Sequence, residues 1–383
     1  MGRLQELFRA HGPAYLEQFG DTMPKAHTKV IAAITECRTE AAGSTLYECE
    51  ACGQPYVVYR SCGNRHCPGC QHGKGRAWLD RQRGRHLPGE HFLLTFTVPE
   101  PLRAFLRGHQ RLGYGALFSA SAGAIKKLAP DPKYIGGDLA GFFGVLHTWG
   151  RTLQYHPHIH YVVAGGALSR ADGRWHPARP GFYLPVRALS RIVRAKFRDA
   201  IAKHGLLGEI PGAVWSLEWN VNCQAAGDGR GAVEYLAHYV FKVAIAESRI
   251  VQVDDHHVRF QYQHPHSHRV RTMTLPIMEF MRRFLQHVLP RGFMKVRYYG
   301  FLAPGSSVPR EDVKARIELA HGFVLPAAAT TLEAAATLRC RHCGGVLRFC
   351  RLVLPGDPAR GWRGSLGEPV GGSAVLSAGA AGP

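Results

Sequence analysis

The chain has 383 residues, enough for two or three domains with a substantial core, and carries 48 Lys and Arg against 28 Asp and Glu, a formal charge of +20. Such a field attracts polyanions, nucleic acid above all, with an affinity that falls steeply with salt; a membrane surface or heparin shares only the sign. No membrane-spanning helix is visible, because apolar strings such as residues 92–98 are far shorter than the roughly 20 residues such a span needs. Residues 1–8 lack a signal-peptide core. Ten cysteines without a secretory signal point to thiolate metal sites in a reducing cytosol.

Residues 1–85 form a cysteine-rich unit. It opens with a short amphipathic helix that Gly12-Pro13 is expected to end. Cys49-x-x-Cys52 and Cys67-x-x-Cys70 have zinc-ribbon spacing, with Gly53 and Pro68 supplying the tight turns. Four thiolates fill a tetrahedral zinc and leave no open position, so this zinc is structural. Cys37, Cys62, His66 and His72 are left over, either for a second zinc or as a substitute for one of the four ligands. The unit ends in a basic helical stretch at 74–83. With Arg60, Arg65, Lys74, Arg76, Arg81 and Arg83 crowded around it, the expected surface faces DNA.

Residues 92–98 read as a buried strand stopped by Pro99, and helical patterns follow to Leu128. The next strand holds His156-Pro157-His158-Ile159-His160. Alternation sends His156, His158 and His160 to one face, and Tyr155, Ile159, Tyr161 and Val163 to the opposite, packing face. Three imidazoles converging from one strand suit a divalent metal. Turns at Gly165-Gly166 and Asp172-Gly173 lead to a helix over 188–203, with Ile192, Val193 and Phe197 on one face, and to a strand over 215–221 carrying Trp215 and Trp219.

Residues 231–241 read as a helix with Tyr235 and Tyr239 at i and i+4, phenols on one face. Residues 251–253 and 258–262 form a hairpin around 254–257. His264-Pro265-His266-Ser267-His268 mimics the first histidine run but lies in a polar surface loop. Arg282, Arg283, Arg291, Lys295 and Arg297 with Tyr298 and Tyr299 mix cations with aromatics, as single-stranded DNA demands, while Phe284, Leu285 and Val288 pack inward. Cys340-x-x-Cys343-Gly344, with His342 and Cys350 nearby, is a half-knuckle, either degenerate or completed in an unusual way; Cys223 reads as a buried core thiol. The Gly-, Ala-, Ser- and Pro-rich tail from Pro355 reads as disordered. Mixed strands and helices without a βαβ repeat give an α+β class, divided as 1–85, 86–305 and 306–383.

Four blocks in order carry a family resemblance: Ser61-Cys62-Gly63-Asn64-Arg65-His66-Cys67-Pro68-Gly69-Cys70-Gln71, then Leu146-His147-Thr148-Trp149-Gly150 running into the histidines, then the tyrosine helix, then residues 279–290. Over roughly residues 10–300 the chain resembles the two-tyrosine HUH transposases of rolling-circle bacterial insertion sequences, the IS-ninety-one group. The resemblance implies a ferredoxin-like palm, its antiparallel sheet carrying the histidines and an adjacent helix the tyrosines, preceded by a small zinc-ribbon-like domain. It implies that His158 and His160 hold Mg²⁺ or Mn²⁺, with His156 the leading third ligand.

In such a site Tyr235 or Tyr239 attacks DNA to give a 5′-phosphotyrosine and a free 3′-hydroxyl. Rejoining then needs no nucleotide cofactor, and a second tyrosine permits a second transfer. A phenol with a pKa of about 10 needs help from the metal or from a base such as His238. The implied partner is single-stranded DNA at insertion-sequence ends and target, in the bacterial cytoplasm and nucleoid, with no membrane. Rivals are a replication-initiator or relaxase-type nickase, a non-enzymatic zinc-ribbon DNA-binding protein and a hydrolytic metallonuclease. The cysteine unit and the lack of a helicase P-loop favour the transposase.

Overall fold

The computed structural model describes residues 2–240, 244–264, 267, 269–323 and 337–355. The expected disordered tail lies almost wholly outside them. In chain order, α1 (Arg3–Phe19) and α2 (Lys25–Glu36) precede the hairpin β1 (Ser44–Cys49) and β2 (Pro55–Tyr59), then α3 (Pro68–Gly84). There follow β3 (His91–Thr97), α4 (Arg103–Gly108), α5 (Gln110–Leu128), β4 (Phe142–Trp149), β5 (Tyr155–Ala164), β6 (Gly166–Leu168), β7 (Trp175–Pro177) and α6 (Val186–Ala202). Next come β8 (Asn220–Ala225), α7 (Arg230–Val240), β9 (Ile250–Val253), β10 (His257–Gln263), β11 (Val270–Pro276), α8 (Ile277–Leu285), β12 (Val296–Tyr299), α9 (Arg310–His321) and β13 (Leu347–Val353). No helix among the described residues is long and apolar enough to cross a membrane.

The centre is a five-stranded sheet in the order β12-β4-β5-β3-β8, every neighbouring pair antiparallel. Alternation sorts its two faces. Phe92, Leu94, Phe96, Phe142, Leu146, Ile159, Tyr161 and Val163 pack against the α4–α6 layer in the largest core. Tyr161 is anchored there by a 2.7 Å hydrogen bond with Ser121, and its ring crosses β4 where Gly144 has no Cβ to collide with it. On the other face Phe143, Val145 and Val162 pack against Trp78 of α3 and Val233, Leu236, Ala237 and Val240 of α7. The histidines lie on that second face.

Three elements differ from the sequence reading. The first helix runs through Gly12-Pro13 to Phe19, because Leu4, Leu7, Phe8 and Tyr15 are buried along one face and Gly12 lets α2 approach closely. The strand expected over 215–221 begins only at Asn220: Trp219 is buried against Phe197 and its indole donates to the Val214 carbonyl, so the two tryptophans anchor a turn rather than alternate on a strand. β11 pairs with β10 although its side chains are mostly exposed, which leaves no apolar pattern to read.

Candidate active site

Residues His147, His158 and His160 form a cluster whose ligand nitrogens all lie within 4.8 Å of one another. Register builds it. His147 on β4 is the direct cross-strand partner of His158, and His160 follows two residues along β5 on the same face. Two partners orient the rings. The His158 Nδ1–H donates to the carbonyl of His156 at 2.6 Å, which leaves the Nε2 lone pair for ligation. The hydroxyl of Thr95, paired across from His160, lies 2.8 Å from His160 Nδ1 and accepts Nδ1–H in the ligating tautomer. Burial holds His147 and His158 well below the usual imidazole range, and lowers His160 to about 4. Three neutral imidazoles converging on one point fit a divalent cation with open positions for substrate oxygens.

His156, expected as the third ligand, is not part of this cluster. Its Nδ1 accepts a 2.8 Å hydrogen bond from Arg103, and it lies beyond the last β3 pairing, where β4 also shifts register between His147 and Trp149. The neighbouring strand supplies His147 instead. The signal for it was in the sequence, in the block preceding the histidine run, but only strand register brings that block into the cluster.

Tyr235 stands beside the cluster. It is 43% exposed, and its ring centroid lies 6.0 Å from that of His160. α7 holds it there by burying Val233, Leu236, Ala237 and Val240 on the sheet, which leaves the tyrosine edge facing the histidines. Gly229, at φ +82°, starts the helix where a Cβ would strike the His91 ring. Tyr239 is one turn further on in the described helix, but its side chain, like that of His238, lies outside the described residues.

The ten cysteines do not group as the spacing suggests. Cys49, Cys52, Cys67 and Cys70 are divided between two clusters: Cys37, Cys62, Cys67 and Cys70 make one, and Cys49, Cys52, Cys340 and Cys343 the other. In the first, Cys70 Sγ is 3.5 Å from both Cys37 and Cys62. Zinc–sulfur bonds of about 2.3 Å at tetrahedral angles put sulfurs roughly 3.8 Å apart, so this donor set fits zinc and is far too open for a disulfide. Cys70 is held well below the usual thiol range, chiefly by its contact with Cys37. Cys67 caps α3 and Pro68 occupies its first turn. His66, a candidate ligand, is turned away: its Nε2 accepts the backbone N–H of Leu289, and burial lowers it to about 3. Cys350 is exposed and outside both clusters; Cys223 is half-buried against the main core.

Several cations expected to meet DNA have intramolecular partners. Arg65 donates to the carbonyl of Phe293 at 2.6 Å, and Arg283 to Glu279 and to the carbonyl of Thr152. Arg297 lies over the Phe118 ring, 4.4 Å from its centroid, on the far face of the sheet. Arg282 pairs with Glu279 yet stays about half exposed. Arg76 and Arg291 are exposed. Lys295 lies over the Trp149 ring, and burial, reinforced by Arg65, lowers it to about 7.

The family described as "Putative transposase" matches residues 141–311, the span from β4 to the start of α9, and the family described as "Transposase zinc-binding domain" matches residues 7–98. "Putative transposase y4qJ" of Sinorhizobium fredii is 36% identical over 368 residues, covering 90% of this chain and 91% of the relative. The chain belongs to the IS91 family of insertion-sequence transposases. "Transposase for insertion sequence element IS801" of Pseudomonas savastanoi pv. phaseolicola is 29% identical over 295 residues, covering 72% of this chain and 69% of the relative. No solved structure matches the chain. In this IS91-family transposase the span matched by the transposase family contains all three clustered histidines and Tyr235, and the matched zinc-binding span contains Cys37, Cys62, Cys67 and Cys70.

Proposed function

We propose that this transposase nicks and rejoins single-stranded DNA at the ends of its insertion sequence and at target sites, through a 5′-phosphotyrosine intermediate of rolling-circle transposition. The five-stranded antiparallel sheet with its histidine face and flanking tyrosine helix is read as an HUH palm, spanning about residues 86–305. The observation that carries the reading is the 6.0 Å approach of the exposed Tyr235 to His160 within the three-histidine cluster. A divalent Mg²⁺ or Mn²⁺ held by His147, His158 and His160 would polarise the scissile phosphate.

The Tyr235 hydroxyl forms a bond to phosphorus as the bond from phosphorus to the 3′-oxygen breaks, in line. The phenolic proton passes to solvent at this open edge, and the departing 3′-oxygen takes one up. The phosphodiester energy is kept in the tyrosyl ester, so the reverse attack by a 3′-hydroxyl rejoins a strand without a nucleotide cofactor. Tyr239, four residues on, would serve the second transfer. The charge of +20 supports a polyanionic substrate, with Arg76, Arg282 and Arg291 among the cations facing solvent.

The test is a denaturing gel of protein incubated with 5′- and 3′-labelled single-stranded oligonucleotides and Mn²⁺. Covalent adducts carrying the 5′-phosphate side are expected from wild type, and none from Tyr235→Phe/Tyr239→Phe at unchanged thermal stability. Cleavage without adduct would identify a hydrolytic nuclease, and adducts from the double variant would move the nucleophile elsewhere.

A further inference from the structure

Cys49 and Cys52 stand near the start of the chain, and Cys340 and Cys343 near its end; the fold brings them together. Cys49 Sγ lies 3.5 Å from Cys343 Sγ, and Cys52 Sγ 3.7 Å from Cys340 Sγ, with all four sulfurs within 4.8 Å of one another. A shared tetrahedral zinc sets sulfurs roughly 3.8 Å apart, whereas a disulfide needs about 2 Å.

The two halves have the same local build. After Cys49 the chain folds back so that Gly53 N–H donates to the Cys49 carbonyl, and after Cys340 Gly344 N–H donates to the Cys340 carbonyl, both at 2.9 Å. Gly53 and Gly344 take φ of +70° and +75°, a conformation that favours glycine. Gly345 is constrained as well: a Cβ there would come within 3.1 Å of Cys49 Sγ and 3.3 Å of Cys343 Sγ. A supporting partner is also in place. The Tyr56 hydroxyl lies 3.1 Å from Cys340 Sγ while accepting the N–H of Arg341 at 2.9 Å, so its own proton points to the sulfur.

β13 shows what such a site would be for. It pairs antiparallel with β1, and its residues are exposed over most of its length, Phe349 at 55% and Leu352 at 53%. A strand that buries so little is held by its ladder and by surface contacts, Phe349 edge-on to Tyr47 and Arg348 beside Glu48, and small sheets of this kind need a staple. We infer that Cys49, Cys52, Cys340 and Cys343 form a second structural zinc site, distinct from that of Cys37, Cys62, Cys67 and Cys70, which fastens the C-terminal strand to the N-terminal sheet.

The full-length protein, purified without added metal and analysed by elemental mass spectrometry, should hold two zinc ions per chain, and Cys340→Ser/Cys343→Ser one. In the double variant, hydrogen exchange across residues 347–353 should become fast while that of β4 and β5 stays slow. A measurement on wild type is independent of whether the variant folds. Cys52, Cys343 and Cys350 are all exposed, so alkylation should modify Cys350 at once but spare Cys52 and Cys343 until a chelator is added. Alkylation of Cys52 and Cys343 as fast as Cys350, release of their protection by reductant rather than chelator, or two zinc ions retained by the double variant would each overturn the assignment.

Discussion

Changing Thr95 to Val removes the 2.8 Å partner of His160 Nδ1 while keeping a β-branched side chain that suits β3. His160 is 9% exposed, so solvent cannot replace the lost hydroxyl, and the ring is then free to turn or to take the wrong tautomer. Outer partners of ligating imidazoles are typically worth 10- to 100-fold in metal affinity, about 1.4–2.8 kcal/mol, the same size as the cost of stranding a buried N–H. Mn²⁺ is the ion to titrate, because a hard cation avoids the thiolate clusters. The concentration for half-maximal nicking should rise about 10- to 100-fold. At saturating Mn²⁺ the rate should return close to wild type, since Thr95 orients a ligand and does not touch DNA in this scheme. Thr95→Ser should restore the wild-type curve. Thr97→Val, one cross-strand pair along the same face, is the control. An unchanged Mn²⁺ curve in Thr95→Val, or a rate loss that excess metal does not rescue, would refute the orienting role.

The same titration separates the two candidates for third ligand: His147→Ala should abolish metal-dependent cleavage, whereas His156→Ala should shift the curve by less than the roughly tenfold typical of losing a supporting contact. The opposite ranking would return the role to His156. Acid should destabilise the fold through His91 and His287, which burial lowers to about 4 and about 3 and which are nearly inaccessible. Their unfolded forms protonate near pH 6.5, so stability is full above that value and is lost as pH falls toward 4 and 3, by roughly 2 kcal/mol for each already at pH 5. Urea midpoints equal at pH 7.5 and pH 5 would contradict this.

What the sequence made legible was local. The alternation at 155–163 correctly placed His158 and His160 on one face and Ile159, Tyr161 and Val163 on the other, because a strand's faces follow from counting by two. His147 was not legible as a member of the cluster, since it joins through the pairing of β4 with β5, and a shift of one residue would carry it to the opposite face. The cysteines repeat the lesson at longer range. Each C-x-x-C turn was readable, but which turns share a metal depends on β13 reaching β1 across nearly the whole chain, a contact no local spacing encodes. Charge says little about position for a related reason: Arg65 and Arg283, read from the sequence as DNA contacts, each donate to a carbonyl at a loop end in the fold.

The cysteine unit and the tyrosine helix are joined by one element. α3 begins at the Cys67 cap with Cys70 in its first turn, and its other end packs beside α7, where Arg83 meets Glu234 at 2.7 Å. Between them, Trp78 stacks edge-on against Phe143, and both Trp78 and Gln82 donate to the Tyr298 hydroxyl, which ties the helix to the histidine-bearing face of the sheet. Tyr298 is thereby engaged in packing, and Tyr299 stacks on Phe142 on the opposite face, so neither competes with Tyr235 for the cluster. α3 would not hold this position by propensity alone: four of its seventeen residues are glycine, and the two in its interior, Gly73 and Gly75, each cost about 1 kcal/mol relative to alanine. Its order must come from its ends and its contacts, with the thiolates fixing the N-terminus and the sheet holding Trp78. The geometry that sets Tyr235 beside His160 therefore depends on the cysteine cluster as well as on the five-stranded sheet itself.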